Sequence, residues 1–447
     1  MRIQFFGALK EVTGSKFIIE SSSRFLVECG LYQGKREKSF IENKNIPFDV
    51  NDIEFMILSH AHIDHSGNIP NLVRSGFNKD IITTKPTVSL LKYLLPDSGH
   101  IHEKDAEYIN KKRMKRNETL IEPIYTEKDA IFSLKFLKGI EYNKEFDNIR
   151  FIEAGHILGS AQILIEENGK KILFSGDLGR KELPLIRDPE IPEGIDVLIM
   201  ETTYGNRIHR PYEEVYSKLK DIVLNAYENK SKIIVPSFAL ERAQEIIYSL
   251  NKLKKDNEIP DIPIYVDSPL AINITDVFVE NKDYLDEEAK KISEDLFWFK
   301  NIHYIKDIEE SKNLNFRKGP MVIIAASGMC EHGRILHHLK NNIEDENNII
   351  LIVGFQAKNT LGRKLVDGEK NVMILGKEYN VKSRIIVMNE FSAHADRNDL
   401  INYVKKTDPE LIFLVHGEDE QMIPFSEYLK EIGKKFIIPE KGTIYEV

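Results

Sequence analysis

The run His60-Ala61-His62-Ile63-Asp64-His65 places three imidazoles and a carboxylate in six consecutive positions. It follows the apolar stretch Phe55-Met56-Ile57-Leu58-Ser59, which reads as a buried strand. Turn residues come next, Ser66-Gly67-Asn68. A fold that accepts this run must end a strand at the open edge of a sheet and gather polar groups there. Imidazole nitrogen and carboxylate oxygen are ligands for zinc and other borderline divalent metals. Four such groups this close cannot all reach one ion. Side chains alternate along extended backbone, so His60 and His62 point the same way. Asp64 and His65 follow on the turning segment and point elsewhere. Two ions side by side are expected, with His60 and His62 on one and Asp64 and His65 on the other. A single His beside a strand is more often a satisfied or surface side chain. Three of the chain's 13 His within one short run, with an Asp among them, form a dense ligand motif instead.

The segment Ser59-His60-Ala61-His62-Ile63-Asp64-His65-Ser66-Gly67 resembles the HxHxDH signature of the metallo-β-lactamase superfamily. Three later segments resemble motifs A, B and C of its β-CASP nuclease branch. They are Glu201-Thr202-Thr203-Tyr204-Gly205, Phe391-Ser392-Ala393-His394-Ala395-Asp396 and Leu414-Val415-His416-Gly417. The chain is in this respect similar to the RNA-processing nucleases of the cleavage and polyadenylation specificity factor type. The likeness runs from Phe6-Gly7-Ala8 to the last strand. It implies an α/β fold: a metallo-β-lactamase αββα sandwich with an inserted β-CASP α/β domain and the active site in the cleft between them.

Strand and helix signals divide the chain in a compatible way. Short strands and turns are expected at 16–20, 25–28, 55–59 and 80–83, with helical, charged sequence between Pro96 and Lys115. Strands return at 149–154, 162–166, 171–175 and 197–201, and Glu167-Asn168-Gly169-Lys170 reads as a hairpin turn. From about residue 208, strands at 231–236, 264–267, 321–325 and 348–353 alternate with helices, the pattern of a parallel sheet. Short strands resume at 383–388, 411–416 and 435–438. The expected division is 1–207 and 377–447 for one α/β domain split in sequence, and 208–376 for the insertion.

The 447 residues carry a net charge of −9, so the chain is not a generally basic nucleic-acid binder. Taken alone, that favours a small-molecule hydrolase. Net charge, however, reports on solubility and steering rather than on a local groove, and clustered metal ions carry positive charge where a phosphate would sit. The basic run Lys111-Lys112-Arg113-Met114-Lys115-Arg116 fits an entrance or a solvated helix face equally well. Only two cysteines are present, far apart, which argues for a reducing, cytoplasmic setting. No apolar stretch approaches the ~18 residues of a membrane span, and the N-terminal strand-like run is too short for a secretory signal. No accessory RNA-binding module is expected before the first strand or after the last.

His156, in Gly155-His156-Ile157-Leu158-Gly159-Ser160, and Asp177, in Ser175-Gly176-Asp177-Leu178-Gly179, each follow a strand inside a Gly-containing loop. Singly, the first reads as a structural histidine and the second as a turn aspartate; beside the His60–His65 cluster, both read better as ligands. The resemblance implies His156 as a ligand of the first metal, Asp177 as the bridge and His416 as the completion of the second. Nitrogen and oxygen donors without cysteine suit two Zn²⁺, with Mn²⁺ or Fe as alternatives. Two metals ~3.5–4 Å apart lower the pKa of the water between them, so no serine or cysteine nucleophile is required.

The resemblance also implies catalytic parts for Asp64, Glu201 and His394. Glu201 ends an apolar strand and is either a hydrogen-bonded carboxylate near the ligands or the partner that orients His394 and raises its pKa. One departure stands out: Leu26-Val27-Glu28-Cys29-Gly30 has Glu28 where the family usually has Asp. The longer Glu28 can still hydrogen-bond a ligand histidine from behind, and no ligand role follows for it. Substrate contacts are expected at Ser327 and Gly328, which precede a helix expected at 331–340; at Lys358, Thr360 and Arg363; at Arg242; and at Ser392. For the helix-associated positions a cap, a turn or an Arg–Glu surface pair is an equal alternative. These segments match β-CASP segments that contact nucleic-acid backbone.

The expected activity is a metal-dependent ribonuclease acting on single-stranded RNA, without a membrane partner. Oligomeric state is open, and a homodimer is compatible with the sequence. The alternatives are a DNA nuclease of the same branch, a thioester or lactam hydrolase, and an inactive RNA-processing scaffold. DNA-directed members usually lack His in motif C, so His416 favours RNA. The large insertion and motifs A and B argue against the small-molecule hydrolase. Scaffolds lose ligands, and here none is missing.

Overall fold

A computed structural model describes residues 1–34, 36–292, 296–357 and 359–447. The chain folds as two compact units. One comprises Met1–Lys181, Ile186–Ile208 and Ala393–Val447; the other comprises Glu182–Leu185 and His209–Ser392.

The first unit holds two seven-stranded mixed sheets. In one, the strand order is Ile444–Glu446, Arg2–Phe5, Phe17–Glu20, Arg24–Val27, Met56–Ile57, Ile81–Thr84, Leu137–Ile140. In the other it is Phe436–Ile437, Leu411–Val415, Val197–Glu201, Lys170–Phe174, Ala161–Glu167, Ile149–Glu153, Glu145–Phe146. Alternation along the strands explains why the sheets pack face to face. Ile3, Phe5, Phe17, Ile19 and Val27 meet Phe151, Ile163, Phe174, Ile199 and Phe413 in one continuous core. Ring pairs tie the layers, Phe5–Phe413 at 5.2 Å and Phe17–Phe174 at 6.0 Å between centroids. The alternate residues of the second sheet, Leu164, Leu173, Leu198, Met200, Ile412 and Leu414, pack on helices Arg397–Thr407 and Asp419–Glu431 through Leu400, Val404, Phe425 and Leu429. Helix Lys85–Met114 covers the far side of the first sheet beside Ile81–Thr84 and Leu137–Ile140, which completes the αββα order.

That helix begins earlier than its charged half suggested. Thr84 caps it by accepting from Thr87 N–H, and Pro86 sits in its first turn, where a missing N–H is harmless. Pro96 lies inside it, and buried Leu90, Leu91, Leu94 and Leu95 hold the helix through the proline. Among the described residues no helix is long and apolar enough to cross a membrane.

The second unit carries a six-stranded, all-parallel sheet in the order Ile302–Tyr304, Ile264–Val266, Met321–Ala325, Lys232–Pro236, Ile349–Ile352, Arg384–Val387. Its central strands are apolar on both faces, as a helix-covered parallel sheet requires. The strand Arg384–Val387 pairs in parallel with Ile349–Ile352, and residues up to Ser392 pack with the second unit. Four short β residues do not reveal from sequence which sheet they will join. The helix expected at 331–340 is Ile335–Asn342 instead. Cys330 and Gly333 take left-handed φ of 60° and 80°, so residues 326–334 form a doubled-back loop and Ser327 and Gly328 do not open a helix.

Candidate metal centre

Every donor of the HxHxDH run is presented by backbone that other loops hold. His60 follows the strand Met56–Ile57, and His62 is the N-cap of the short helix Ile63–Ser66. Three amides lash that helix down: Ser15 N–H to Asp64 O at 3.0 Å, Cys29 N–H to His65 O at 2.8 Å, and Leu31 N–H to Ile63 O at 2.9 Å. Gly30 permits the approach, because a Cβ there would lie 1.5 Å from Asp64 O. The loops bearing His156 and Asp177 touch in the same way: a Cβ on Gly179 would lie 1.6 Å from Gly155 O. His416 ends the strand Leu411–Val415 with φ 47°, pinned by its N–H to Ala8 O at 2.8 Å and by Thr202 N–H to its own carbonyl at 3.1 Å.

These loops gather the seven expected donors into two groups, His60, His62, His156 with Asp177, and Asp64, His65 with His416. In the first group, His62 Nδ1 lies 3.1 Å from His60 Nε2 and 3.2 Å from His156 Nε2. In the second, His65 Nε2 lies 3.2 Å from His416 Nε2, which is 3.5 Å from Asp64 Oδ2. Asp177 faces both. Its Oδ2 is 3.5 Å from His60 Nε2 and 3.6 Å from His156 Nε2; its Oδ1 is 3.3 Å from His65 Nε2 and 3.4 Å from His416 Nδ1. Donors 2.0–2.1 Å from a tetrahedral ion stand about 3.3 Å apart. The observed separations therefore fit lone pairs converging on shared cations, and Asp177 Oδ1 is buried with no hydrogen bond of its own.

Electrostatics agree. Burial, reinforced by the charge of His65, lowers the pKa of His60; burial and His60 push His62 down to about 3; burial and His394 hold His156 well below its ordinary value. Those three rings are neutral near pH 7, the form that can ligate. Burial opposes ionisation of Asp177, yet His416 and His65 outweigh it and keep the carboxyl well below the usual range. Asp64 behaves likewise, held down mainly by its hydrogen bond to His416 and by the charge of His65. Burial acts against a charged His65, but Asp177 raises its pKa well above normal, so a cation bound there would displace a proton.

His394 stands beside this array. Its Nδ1 is 3.2 Å from both oxygens of Glu201, and its ring centroid is 4.3 Å from that of His156. Glu201 is fixed in turn by Leu178 N–H at 2.6 Å and Thr203 N–H at 3.3 Å. Burial alone would lower the His394 pKa, but the Glu201 charge and hydrogen bond raise it. The trio Asp177, Glu201 and His394 is also close enough to hold a cation.

Several supporting groups were not anticipated. Ser59 Oγ lies 2.8 Å from His60 Nδ1, and Thr203 Oγ1 lies 3.2 Å from His416 Nδ1. Ser160 Oγ accepts from the amides of His156 and Ile157 at 3.0 and 3.2 Å. All three sit inside the quoted motifs, and proximity in sequence to a ligand was the available signal. Glu28, at φ 64°, accepts from Ser59 N–H at 3.1 Å and turns Oε2 toward His65 Nδ1 at 3.6 Å.

The expected substrate contacts belong to the second unit. Arg242 pairs with Glu245 in the first turn of its helix. Ser327 Oγ accepts from Glu331 N–H at 3.1 Å, and Gly328 O accepts from Gln356 Nε2 at 3.0 Å. Thr360 caps the helix Leu361–Val366 by accepting from Arg363 N–H at 3.1 Å. Arg363 forms an i,i+4 pair with Asp367 at 2.8 Å. Ser392 is half-buried. Lys358 lies outside the described residues.

Comparison with known proteins gives a consistent picture. Residues 17–236 match the metallo-beta-lactamase superfamily, 243–365 the Beta-Casp domain and 378–439 the Zn-dependent metallo-hydrolase RNA specificity domain. The chain is 32% identical over 450 residues to a ribonuclease of Thermus thermophilus, with 99% of each chain covered. It is also 32% identical over 452 residues to an RNase J-like protein of Methanocaldococcus jannaschii, covering 100% of this chain and 99% of that one. A crystal structure of a protein of unknown function from Enterococcus faecalis aligns over 99% of both chains with a TM-score of 0.57 and 14% identity, a likeness of fold.

Proposed function

This chain belongs to the β-CASP branch of the metallo-β-lactamase superfamily, and from that premise we propose that it is a metal-dependent ribonuclease hydrolysing phosphodiester bonds of single-stranded RNA in RNA processing or decay. The observation that carries the reading is the pair of donor groups facing one carboxylate, Asp177, beside the His394–Glu201 pair. Full-length likeness to proteins named ribonuclease and RNase J-like supplies the substrate class.

His60, His62 and His156 would hold one divalent ion, Asp64, His65 and His416 the other, and Asp177 would face both. We assign zinc, because the donors are nitrogen and oxygen without sulfur, with manganese or iron as the competing choices. Such a pair supplies Lewis acidity toward a phosphodiester and makes water acidic enough to attack at neutral pH. The chain's own residues do the rest. Asp64 keeps its carboxylate 24% exposed, so it can orient water as well as ligate. Glu201 fixes the His394 ring through Nδ1, which leaves Nε2 to carry the proton toward a phosphate oxygen or the leaving 3′ oxygen. Buried, unpaired Cys29 and Cys330 suit a cytoplasmic enzyme.

The test is product analysis on 5′-labelled and internally labelled single-stranded RNA, with DNA of the same sequence in parallel. Cleavage of RNA to 5′-phosphate and 3′-hydroxyl ends is expected, and it should fall with salt as phosphate contacts weaken. Hydrolysis of thioesters or β-lactams with no action on RNA would overturn the reading.

A further inference from the structure

The second unit contains an open groove of about 450 Å³ lined by Asn251, Lys254, Lys255, Trp298, Phe299 and Lys300. It lies where helix Arg242–Lys255 ends and where the strand Ile302–Tyr304 begins. The loops carrying Ser327 and Thr360 instead follow the finishing ends of Met321–Ala325 and Ile349–Ile352. Because the sheet is parallel, the groove and those loops occupy opposite edges of it.

Trp298 is the chain's only tryptophan, and its surface is 46% exposed. An indole is the side chain with most to gain from burial, so a half-exposed one invites a reason. It is not a loose side chain. Its ring rests on Tyr304 with centroids 4.3 Å apart, and Tyr304 is anchored by its hydroxyl, which donates to Phe297 O at 2.6 Å. The ammonium groups beside it are also held. Lys254 and Lys300 share one carboxylate, Asp261, at 2.6 and 3.2 Å, and Lys254 Nζ donates to Lys300 O at 2.7 Å. One carboxylate cannot neutralise both, and among the described residues none that lines the groove is acidic. A braced aromatic face next to a net positive charge matches one ligand chemistry: a base that stacks, joined to phosphates that pair with ammonium. An acidic peptide would use the lysines but has no use for the exposed indole face.

We propose that this groove binds a single-stranded segment of RNA, as an accessory substrate-holding site on the side of the parallel sheet opposite the Ser327 and Thr360 loops. The proposal rests on the ribonuclease reading above. Stacking on an aromatic face is tolerant of sequence, so the groove would add affinity without selecting a base.

The single tryptophan makes the test direct, because its emission reports on the groove without a label. The full-length His394→Ala protein, expected to cleave ~10²–10⁴-fold more slowly, is titrated with an oligouridylate of about twenty nucleotides, longer than a typical single-strand site. Saturable quenching is expected. The Lys300→Glu change should weaken binding, and Trp298→Ala should weaken it about ten-fold in a gel-shift assay, within the range of one lost stacking contact. RNA binding by gel shift with unchanged emission would overturn the proposal. So would equal quenching by oligoglutamate, which would make the site a charge-only surface for peptides, or by uridine monophosphate at the same concentration, which would make it a mononucleotide site. Wild-type protein that neither binds nor cleaves RNA would bring down the ribonuclease reading itself; cleavage without quenching removes the accessory site alone.

Discussion

The donor cluster of the first unit and the polar loops of the second both sit where strands end, yet they use their polar groups in opposite ways. In the first, imidazoles and carboxylates crowd together at 3.1–3.6 Å with Asp177 Oδ1 unpartnered. In the second, Ser327, Thr360, Arg242 and Arg363 have each found a neighbour within five residues. Buried polar groups that converge without satisfying one another mark a place completed by something else, whereas locally satisfied ones hold the fold. The contrast separates a site from its scaffold, and it can be broken experimentally.

The largest effect is expected at Asp177, the one carboxylate that both donor groups share. Asp177→Ala should cost more than about a hundred-fold in activity, beyond what loss of a merely supporting group costs. Elemental analysis should show bound metal falling further than in Glu201→Ala. Retention of all bound metal would dissolve the two-group picture.

Next comes His394. Removing a proton donor or oxyanion partner costs ~10²–10⁴-fold in rate. His394→Ala should lose that much while metal content and RNA affinity stay near wild type, whereas His416→Ala should lower metal occupancy. Loss of an ion from His394→Ala would move His394 into the ligand set, as its closeness to Asp177 allows.

A smaller effect belongs to Glu28. Its Oε2 and His65 Nδ1 are both buried without a hydrogen bond and face each other at 3.6 Å. Carboxylates behind ligand histidines typically support affinity by ~10–100-fold. Glu28→Gln should weaken metal binding within that range in a chelator competition, and an unchanged affinity would make the carboxylate structural only. The smallest effect is expected at Arg363, whose exposed, solvent-screened pair with Asp367 belongs to a class that adds little to stability. Arg363→Ala should leave the melting temperature nearly unchanged. A clear rise in the Michaelis constant for RNA, by contrast, would show that Arg363 leaves Asp367 for substrate and that the second unit's loops are less self-contained than their hydrogen bonds suggest.

How much of this was legible in the sequence follows from spacing. His60, His62, Asp64 and His65 lie so close together that any backbone brings them near one another, and Gly155, Gly176 and Gly179 advertise the loops that bring in His156 and Asp177. The αββα sandwich and the inserted α/β region were legible from strand periodicity together with the motifs. Hydroxyls were not: Ser59, Ser160 and Thr203 are distinguished only by what their neighbours do in space. Which sheet Arg384–Val387 joins is not legible in the sequence, because its partner, Ile349–Ile352, is remote. The loop 326–334 reads in sequence as the approach to a helix at 331–340, because left-handed Cys330 leaves no mark in composition. Trp298 carried no motif at all; only its exposure and the braced ring beneath it single it out.

On the proposed reading, two donor groups joined by Asp177 bind the ions that cleave RNA. That reading is tested most directly by adding zinc back to chelator-stripped protein while following bound metal and cleavage of single-stranded RNA in the same samples. Occupancy should rise to about two ions per chain, and cleavage should return with the second. Full cleavage at one ion per chain, or cleavage that survives complete stripping, would contradict the reading.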